Sequence, residues 1–261
     1  MALDLDGTLY RGGRLFDATL PFLASLRQTG IGYTFLTNNT SLSKADYVRK
    51  LARLGIDACE EQVSTPVDAV ISYLRGRLPG ADSIAVVGTP SLCEEFEFSG
   101  FHIDWQAPDA VIVGFDTTLT YERLCQAAYW IRAGLPFLAT HPDLVCPTDE
   151  PTVLVDCGSI CACLSAATGR RPMVFGKPDP AMLHAICSRQ SLEAAELAMV
   201  GDRLYTDVAM AQKAGAMSVL VLSGEATAAE AASLDRAPDL VVTDVGELGE
   251  LLERARKGAA P

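Results

Sequence analysis

The sequence predicts an α/β protein built on parallel strands, and three observations carry that reading. Short apolar, β-prone runs are each followed by a turn and then by an amphipathic helical stretch. Hydrophobic residues occupy 49% of the 261 positions, enough for one large core or two modest ones and too many for a disordered chain. The stretch Leu78-Pro79-Gly80-Ala81-Asp82 reads as a linker that opens a second set of units, and the first pattern resumes from Met173.

The elements follow in order. A strand ends at Leu5 and precedes a helix near 18–29. Only three residues stand before Asp4, so this strand is unusually short for a central position. A strand at 32–36 leads to a helix at 43–54, capped by Ser43 and stopped by Gly55, and a third helix covers 66–78. Beyond the linker come a strand at 84–87, a helix at 91–99, a strand at 110–115, a helix at 121–133 and a strand at 136–140. The segment 141–156 reads as a long polar loop before a helix at 160–168. The last set comprises a helix at 180–189, a strand at 197–200, a helix at 206–214, a strand at 218–222, a strand at 239–242 and a helix at 245–256.

Composition excludes several classes of function. A formal net charge of −12 opposes the phosphate-backbone attraction on which nucleic-acid binders depend. An anionic small substrate would need a metal ion and a few local cations to reverse the field inside its site. The longest apolar runs, such as 217–222 and 110–113, fall well short of the roughly 20 residues that span a bilayer. Asp4 and Asp6 interrupt the apolar start, which is not the layout of a signal peptide, so a cytoplasmic location without membrane partners is expected. The eight cysteines show no paired C-x₂-C arrangement, and reduced thiols are the simplest reading. Cys157 and Cys161, one helical turn apart, are expected to be small buried side chains.

Four motifs carry chemistry. In Asp4-Leu5-Asp6-Gly7-Thr8-Leu9, alternation points two carboxylates to the same side at a strand end, where parallel sheets assemble ligand sites. Two close carboxylates repel, which a bound divalent cation would relieve, although an Asp-rich turn alone also accounts for the pattern. Leu36-Thr37-Asn38-Asn39 offers a hydroxyl, amides and backbone N–H groups suited to phosphoryl oxygens, and also suits an ordinary turn. Lys177 in Gly176-Lys177-Pro178-Asp179-Pro180 is placed to neutralise a phosphoryl oxygen or hold a carboxylate, where most lysines are simply solvated. Asp202 and Asp207 follow another β-prone run and supply the hard oxygen ligands that Mg²⁺ prefers; Asp207 equally fits a helix first turn.

Four such motifs in this order resemble the haloacid dehalogenase-type hydrolases, more narrowly the type IIA cap subfamily that includes nucleotidases, p-nitrophenylphosphatases, phosphoglycolate phosphatases and pyridoxal phosphate phosphatases. The resemblance spans essentially the whole chain. It includes Gly114-Phe115-Asp116 with Leu119-Thr120-Tyr121-Glu122, Ala139-Thr140-His141-Pro142-Asp143 and Leu222-Ser223-Gly224-Glu225-Ala226-Thr227.

The resemblance implies a doubly wound, Rossmann-like core at 1–80 and 173–261, with an inserted α/β cap at 81–172. It implies Asp4 as nucleophile, Asp6 as general acid and base, and Lys177 as the group that orients Asp4 and the phosphoryl group. Thr37, Asn38, Asn39 and Lys177 would bind phosphate, and Mg²⁺ would take Asp4, the Asp6 carbonyl, Asp202 and Asp207. His141 stands where the subfamily pattern has Asn, which points to a different cap specificity, with the loop 141–156 and the residues near 156–159 as the specificity surface. The expected activity is hydrolysis of a small phosphorylated metabolite such as a nucleoside monophosphate or sugar phosphate, and a homodimer is compatible with the resemblance. A phosphotransferase or mutase using the same aspartyl-phosphate, or a non-catalytic phosphometabolite-binding module, stand as alternatives.

Overall fold

Three residues, Ala2–Asp4, form the strand around which the first sheet is assembled. Ala2 and Leu3 are completely buried, because parallel neighbours flank the strand on both sides. The sheet runs Leu240–Val242, Met217–Val221, Ala198–Gly201, Ala2–Asp4, Thr34–Leu36, Val63–Ser64. Met182, Leu183 and Ile186 from helix Ala181–Gln190 pack with Met210 and Ala211 from helix Ala209–Ala214 against Ala2, Leu36 and Met199. Helices Thr19–Thr29 and Val245–Gly258 meet each other, with Gly249 so close that a Cβ there would stand 3.4 Å from the Phe22 ring.

The computed structural model describes residues 1–147 and 152–258, and these fall into two units. The first holds Met1–Thr37, Lys50–Val63 and the chain from Pro178 onward; the second holds Asn38–Arg49 and Ser64–Lys177. The second unit is a five-stranded parallel sheet in the order Met173–Val174, Phe137–Ala139, Ala110–Val113, Ser83–Val87, His102–Ile103. Two apolar clusters cover it. Val67, Val70 and Leu74 of helix Pro66–Arg77 join Leu92 and Phe96 of helix Pro90–Phe98 over Ile84, Val86 and Ile112. Ala127 and Ile131 of helix Tyr121–Ala133 join Ile160 and Leu164 of helix Cys157–Thr168 over Ala85, Val87, Val111 and Val113. Cys157 and Cys161 are buried in that second cluster.

The structure corrects two expectations and adds one element. The segment 141–156 is not a plain loop, since Val145–Pro147 pairs antiparallel with Val153–Val155. Val145 pairs with Val155 and Cys146 with Leu154, so the segment's apolar and β-branched residues form the strands. Residues 148–151 of that segment lie outside the described residues. The helix expected at 206–214 begins instead with a π-helical turn, Leu204–Val208, before Ala209–Ala214. The pattern also gave no sign of the hairpin Tyr10–Arg11 with Arg14–Leu15, because two-residue strands are too short for alternation to register. No described helix is long and apolar enough to cross a membrane.

Candidate active site

In the first unit the chemistry gathers at the carboxyl ends of adjacent parallel strands, the place where open α/β sheets bind ligands. Asp4 ends its strand and is buried, with the Thr8 hydroxyl donating to its Oδ2 at 3.2 Å. The chain then turns sharply: the amides of Thr8, Leu9 and Tyr10 all reach the Leu5 carbonyl. Gly7 takes φ 87°, and a Cβ there would lie 2.3 Å from Asp202 Oδ2, so only glycine admits both the turn and the carboxylate beside it. Asp6 falls in this turn and is exposed.

Asp202 follows strand Ala198–Gly201, which pairs directly with the Asp4 strand. It is buried, accepts the Glu225 amide at 2.8 Å, and packs so tightly on Gly224 that a Cβ there would be 1.9 Å from its Oδ2. Asp207 comes from the π-helical turn, is buried, and accepts the Arg203 amide at 3.1 Å. A Cβ on Gly201 would stand 2.3 Å from the Asp207 Cγ. These approaches bring ligand oxygens of Asp4, Asp202 and Asp207 within 4.8 Å of one another.

Three buried carboxylates this close repel strongly unless a cation compensates them. Arg203 supplies part of the compensation. Burial opposes its charge, but the acidic groups around it, Tyr205 first and then Asp202, Glu225 and Asp4, outweigh burial and hold its pKa above the ordinary value. Its Nε also pairs with Glu225 at 2.9 Å. The donor set is all hard oxygen and mostly carboxylate, which fits Mg²⁺. Asp6 contributes no carboxylate to this group. Thr37 is buried immediately beyond strand Thr34–Leu36, whose Leu36 is the register partner of Asp4.

Family profiles match both ends of the chain, that of haloacid dehalogenase-like hydrolases at residues 1–102 and a HAD-hydrolase-like one at residues 174–248. The 5'-nucleotidase YutF of Bacillus subtilis (strain 168) is 32% identical over 222 residues, 85% of this chain and 86% of the relative. The chain belongs to the haloacid dehalogenase-like hydrolases, in their type IIA group. Among solved structures, the 4-nitrophenylphosphatase of Thermotoga maritima is similar with a TM-score of 0.90 and 42% identity, over 95% of each chain. The glycerol phosphate phosphatase of Mycobacterium tuberculosis in complex with magnesium is similar with a TM-score of 0.88 and 34% identity, over 96% of this chain and 77% of that one.

In the second unit of this HAD hydrolase, Asn38 and Lys177 meet. The Lys177 amide donates to Asn38 Oδ1 at 2.7 Å, and Asn38 Nδ2 donates to the Lys177 carbonyl at 3.1 Å. The Asn38 side chain, expected from sequence to face phosphate, is therefore engaged with the lysine main chain. Nδ2 also lies 3.3 Å from each carboxylate oxygen of Asp143. Asn39 Oδ1 accepts the amide and hydroxyl of Ser41 at 2.9 and 2.7 Å, closing a local turn. Sequence reasoning assigned no role to Arg203, and it marked Asp143 and Asp156 only as part of a family motif and of the expected specificity surface, not as partners of His141.

Proposed function

We propose that this chain is a Mg²⁺-dependent phosphatase of small phosphomonoesters. The observation that carries the reading is the convergence of Asp4, Asp202 and Asp207 at the ends of neighbouring strands, beside Thr37. The named relatives, a nucleotidase and two phosphatases, support the same chemistry.

In this reading Asp4 attacks phosphorus in line and becomes an aspartyl-phosphate. The Thr37 hydroxyl and the backbone amides that follow it hold phosphoryl oxygens, and Lys177 neutralises charge as the leaving group departs. Asp6, exposed at the turn and outside the buried carboxylate group, protonates the leaving alkoxide and later takes a proton from the attacking water. Bound Mg²⁺, held by Asp4, Asp202, Asp207 and the Asp6 carbonyl, supplies charge stabilisation to the phosphoryl oxygens. Residues 81–172 serve as the cap that selects the leaving group. The scatter of eight cysteines without a C-x₂-C arrangement supports the cytoplasmic location that completes the reading.

Phosphate release tests this directly, across nucleoside monophosphates, sugar phosphates, glycerol phosphate and p-nitrophenyl phosphate, with Mg²⁺ and with excess chelator. Turnover that depends on the metal is expected. Full activity in chelator with no metal bound would overturn the metal assignment, and transfer of phosphate to an added alcohol in preference to water would replace hydrolase by transferase.

A further inference from the structure

The strand register carries His141 to a place that the proposed chemistry does not explain. Ala139 pairs with Val174, so two residues further on His141 comes beside Gly176, and Lys177 follows. Gly176 takes φ 76°, and a Cβ there would lie 2.8 Å from Asn38 Oδ1, 2.8 Å from the Thr140 carbonyl and 3.1 Å from His141 Cβ. The His141 ring is completely buried. Its Nδ1 lies 3.6 Å from Asp143 Oδ2, and its Nε2 lies 3.5 Å from Asp156 Oδ1.

Both residues are anchored from elsewhere, Asp156 through its carboxylate and Asp143 through its main chain. Asp156 is the N-cap of helix Cys157–Thr168 and accepts the Cys157 amide at 2.6 Å. The Asp143 carbonyl accepts the Gly158 amide at 2.8 Å, and Gly158 is so close to this segment that a Cβ would stand 2.2 Å from the Pro142 carbonyl oxygen. Two fixed, poorly solvated carboxylates repel unless a positive group lies between them. The two nitrogens of an imidazole sit on different edges of the ring, and here each faces its own carboxylate. One metal ion would engage only one of those nitrogens, whereas a doubly protonated ring presents a donor to both.

The geometry points to a positioning role for His141: as an imidazolium it bridges Asp143 and Asp156, and through Asp143 and Asn38 it fixes the main chain of Lys177. The chain of contacts is continuous. His141 holds Asp143, Asp143 faces the Asn38 amide, and that amide clamps the N–H and the C=O of Lys177. The inference rests on the proposed phosphatase reading for the task it gives Lys177, but the bridge itself does not depend on that reading.

The decisive comparison is between His141→Asn alone and His141→Asn combined with Asp156→Asn, each checked for folding by circular dichroism. The single variant leaves two facing carboxylates without their cation, and kcat for p-nitrophenyl phosphate with Mg²⁺ is expected to fall at least about tenfold. The double variant removes one of the two charges while keeping a competent N-cap, and kcat is expected to return to within about threefold of wild type. Additive losses, or no loss in the single variant, would overturn the positioning role. Nitrogen NMR of the ring in the wild-type protein at neutral pH tests the bridge without turnover: protons on both nitrogens are expected, and a neutral ring would overturn it. Failure of wild-type protein to hydrolyse any phosphomonoester would refute the phosphatase reading and the task assigned to Lys177, while the NMR result still decides the bridge.

Discussion

Two groups of buried carboxylates occur in this protein, and they are balanced in different ways. Asp4, Asp202 and Asp207 converge in the first unit with ligand atoms within 4.8 Å, and the charges of Asp202 and Asp4 act on Arg203, itself shared with Glu225. Asp143 and Asp156 in the second unit close around His141, whose nitrogens face one carboxylate each. In the proposed reading the first group takes an external divalent cation. The second has a cation within its own chain. A cluster of acids therefore reads as a metal site only where no side chain already occupies the space between them.

The largest expected effect belongs to the first group. Asp4→Asn keeps the shape of the side chain but removes the nucleophile, and phosphate release should fall to less than about a thousandth of wild type with the fold intact by circular dichroism. Retention of several per cent of activity would remove Asp4 from that role.

Asp6 is next, because its exposure sets it apart from its buried neighbour. Asp6→Asn should slow the first chemical step for an alkyl phosphate by something like 10²- to 10⁴-fold, since an alkoxide needs a proton to leave. For p-nitrophenyl phosphate, whose phenolate leaves unaided, the same step should change little. Single-turnover rates separate this step from the later hydrolysis. Equal losses for the two esters would confine Asp6 to metal binding.

A smaller effect contrasts the groups directly. Mg²⁺ at about 100 times its Kd should stabilise the protein by about 2.7 kcal/mol if it binds only the folded state. Asp202→Asn should remove most of this gain, whereas Asp156→Asn should leave it in place, because that carboxylate already has an internal partner. Loss of the Mg²⁺ effect in the Asp156 variant would mean that the two groups are not independently balanced.

The two groups also differ in how far the sequence disclosed them. Asp4, Asp202 and Asp207 each follow a β-prone run in a turn-forming context, so strand ends and side-chain type were enough to nominate them. The family resemblance drawn from those motifs agrees with the comparisons. His141 and Lys177 are brought together by the register of neighbouring strands in a second sheet, and Asn38 and Asp156 join them from outside that sheet, which local patterning does not encode. For that reason His141 was legible as a departure from the family pattern but not as a partner of two acids. The engagement of Asn38 with the Lys177 main chain depends on a glycine at 176 that looked in sequence like an ordinary turn residue.

The smallest effect tests internal balance at a third place in the second unit, where it is incomplete. Glu95, on helix Pro90–Phe98, accepts the Lys44 amide at 3.2 Å and lies 3.5 Å from the Thr65 hydroxyl. Burial pushes its pKa up from 4.5 to about 7, with nearby Lys44 opposing the rise and Asp68 adding to it. Lys44 does not relieve it fully because its ammonium pairs with Asp68. A carboxyl whose pKa is raised on folding stabilises the folded state fully below the unfolded value, and this contribution is lost as pH rises through the folded one. Between pH 4.5 and 7 the folded protein keeps a proton at Glu95 that the unfolded chain has released, so stability from this group should decline across that window, by about 2 kcal/mol after allowance for partial solvent screening. Glu95→Gln imitates the protonated acid: its carbonyl oxygen can still accept the Lys44 amide, and its NH₂ can donate to Thr65. Urea unfolding at pH 4.5, 6 and 7.5 should show the variant close to wild type at the lowest pH and about 2 kcal/mol more stable at the highest. A constant difference across the series would mean that Glu95 titrates in the folded protein as it does in the unfolded chain, and that the Lys44 charge offsets its burial as completely as His141 is proposed to compensate its two acids.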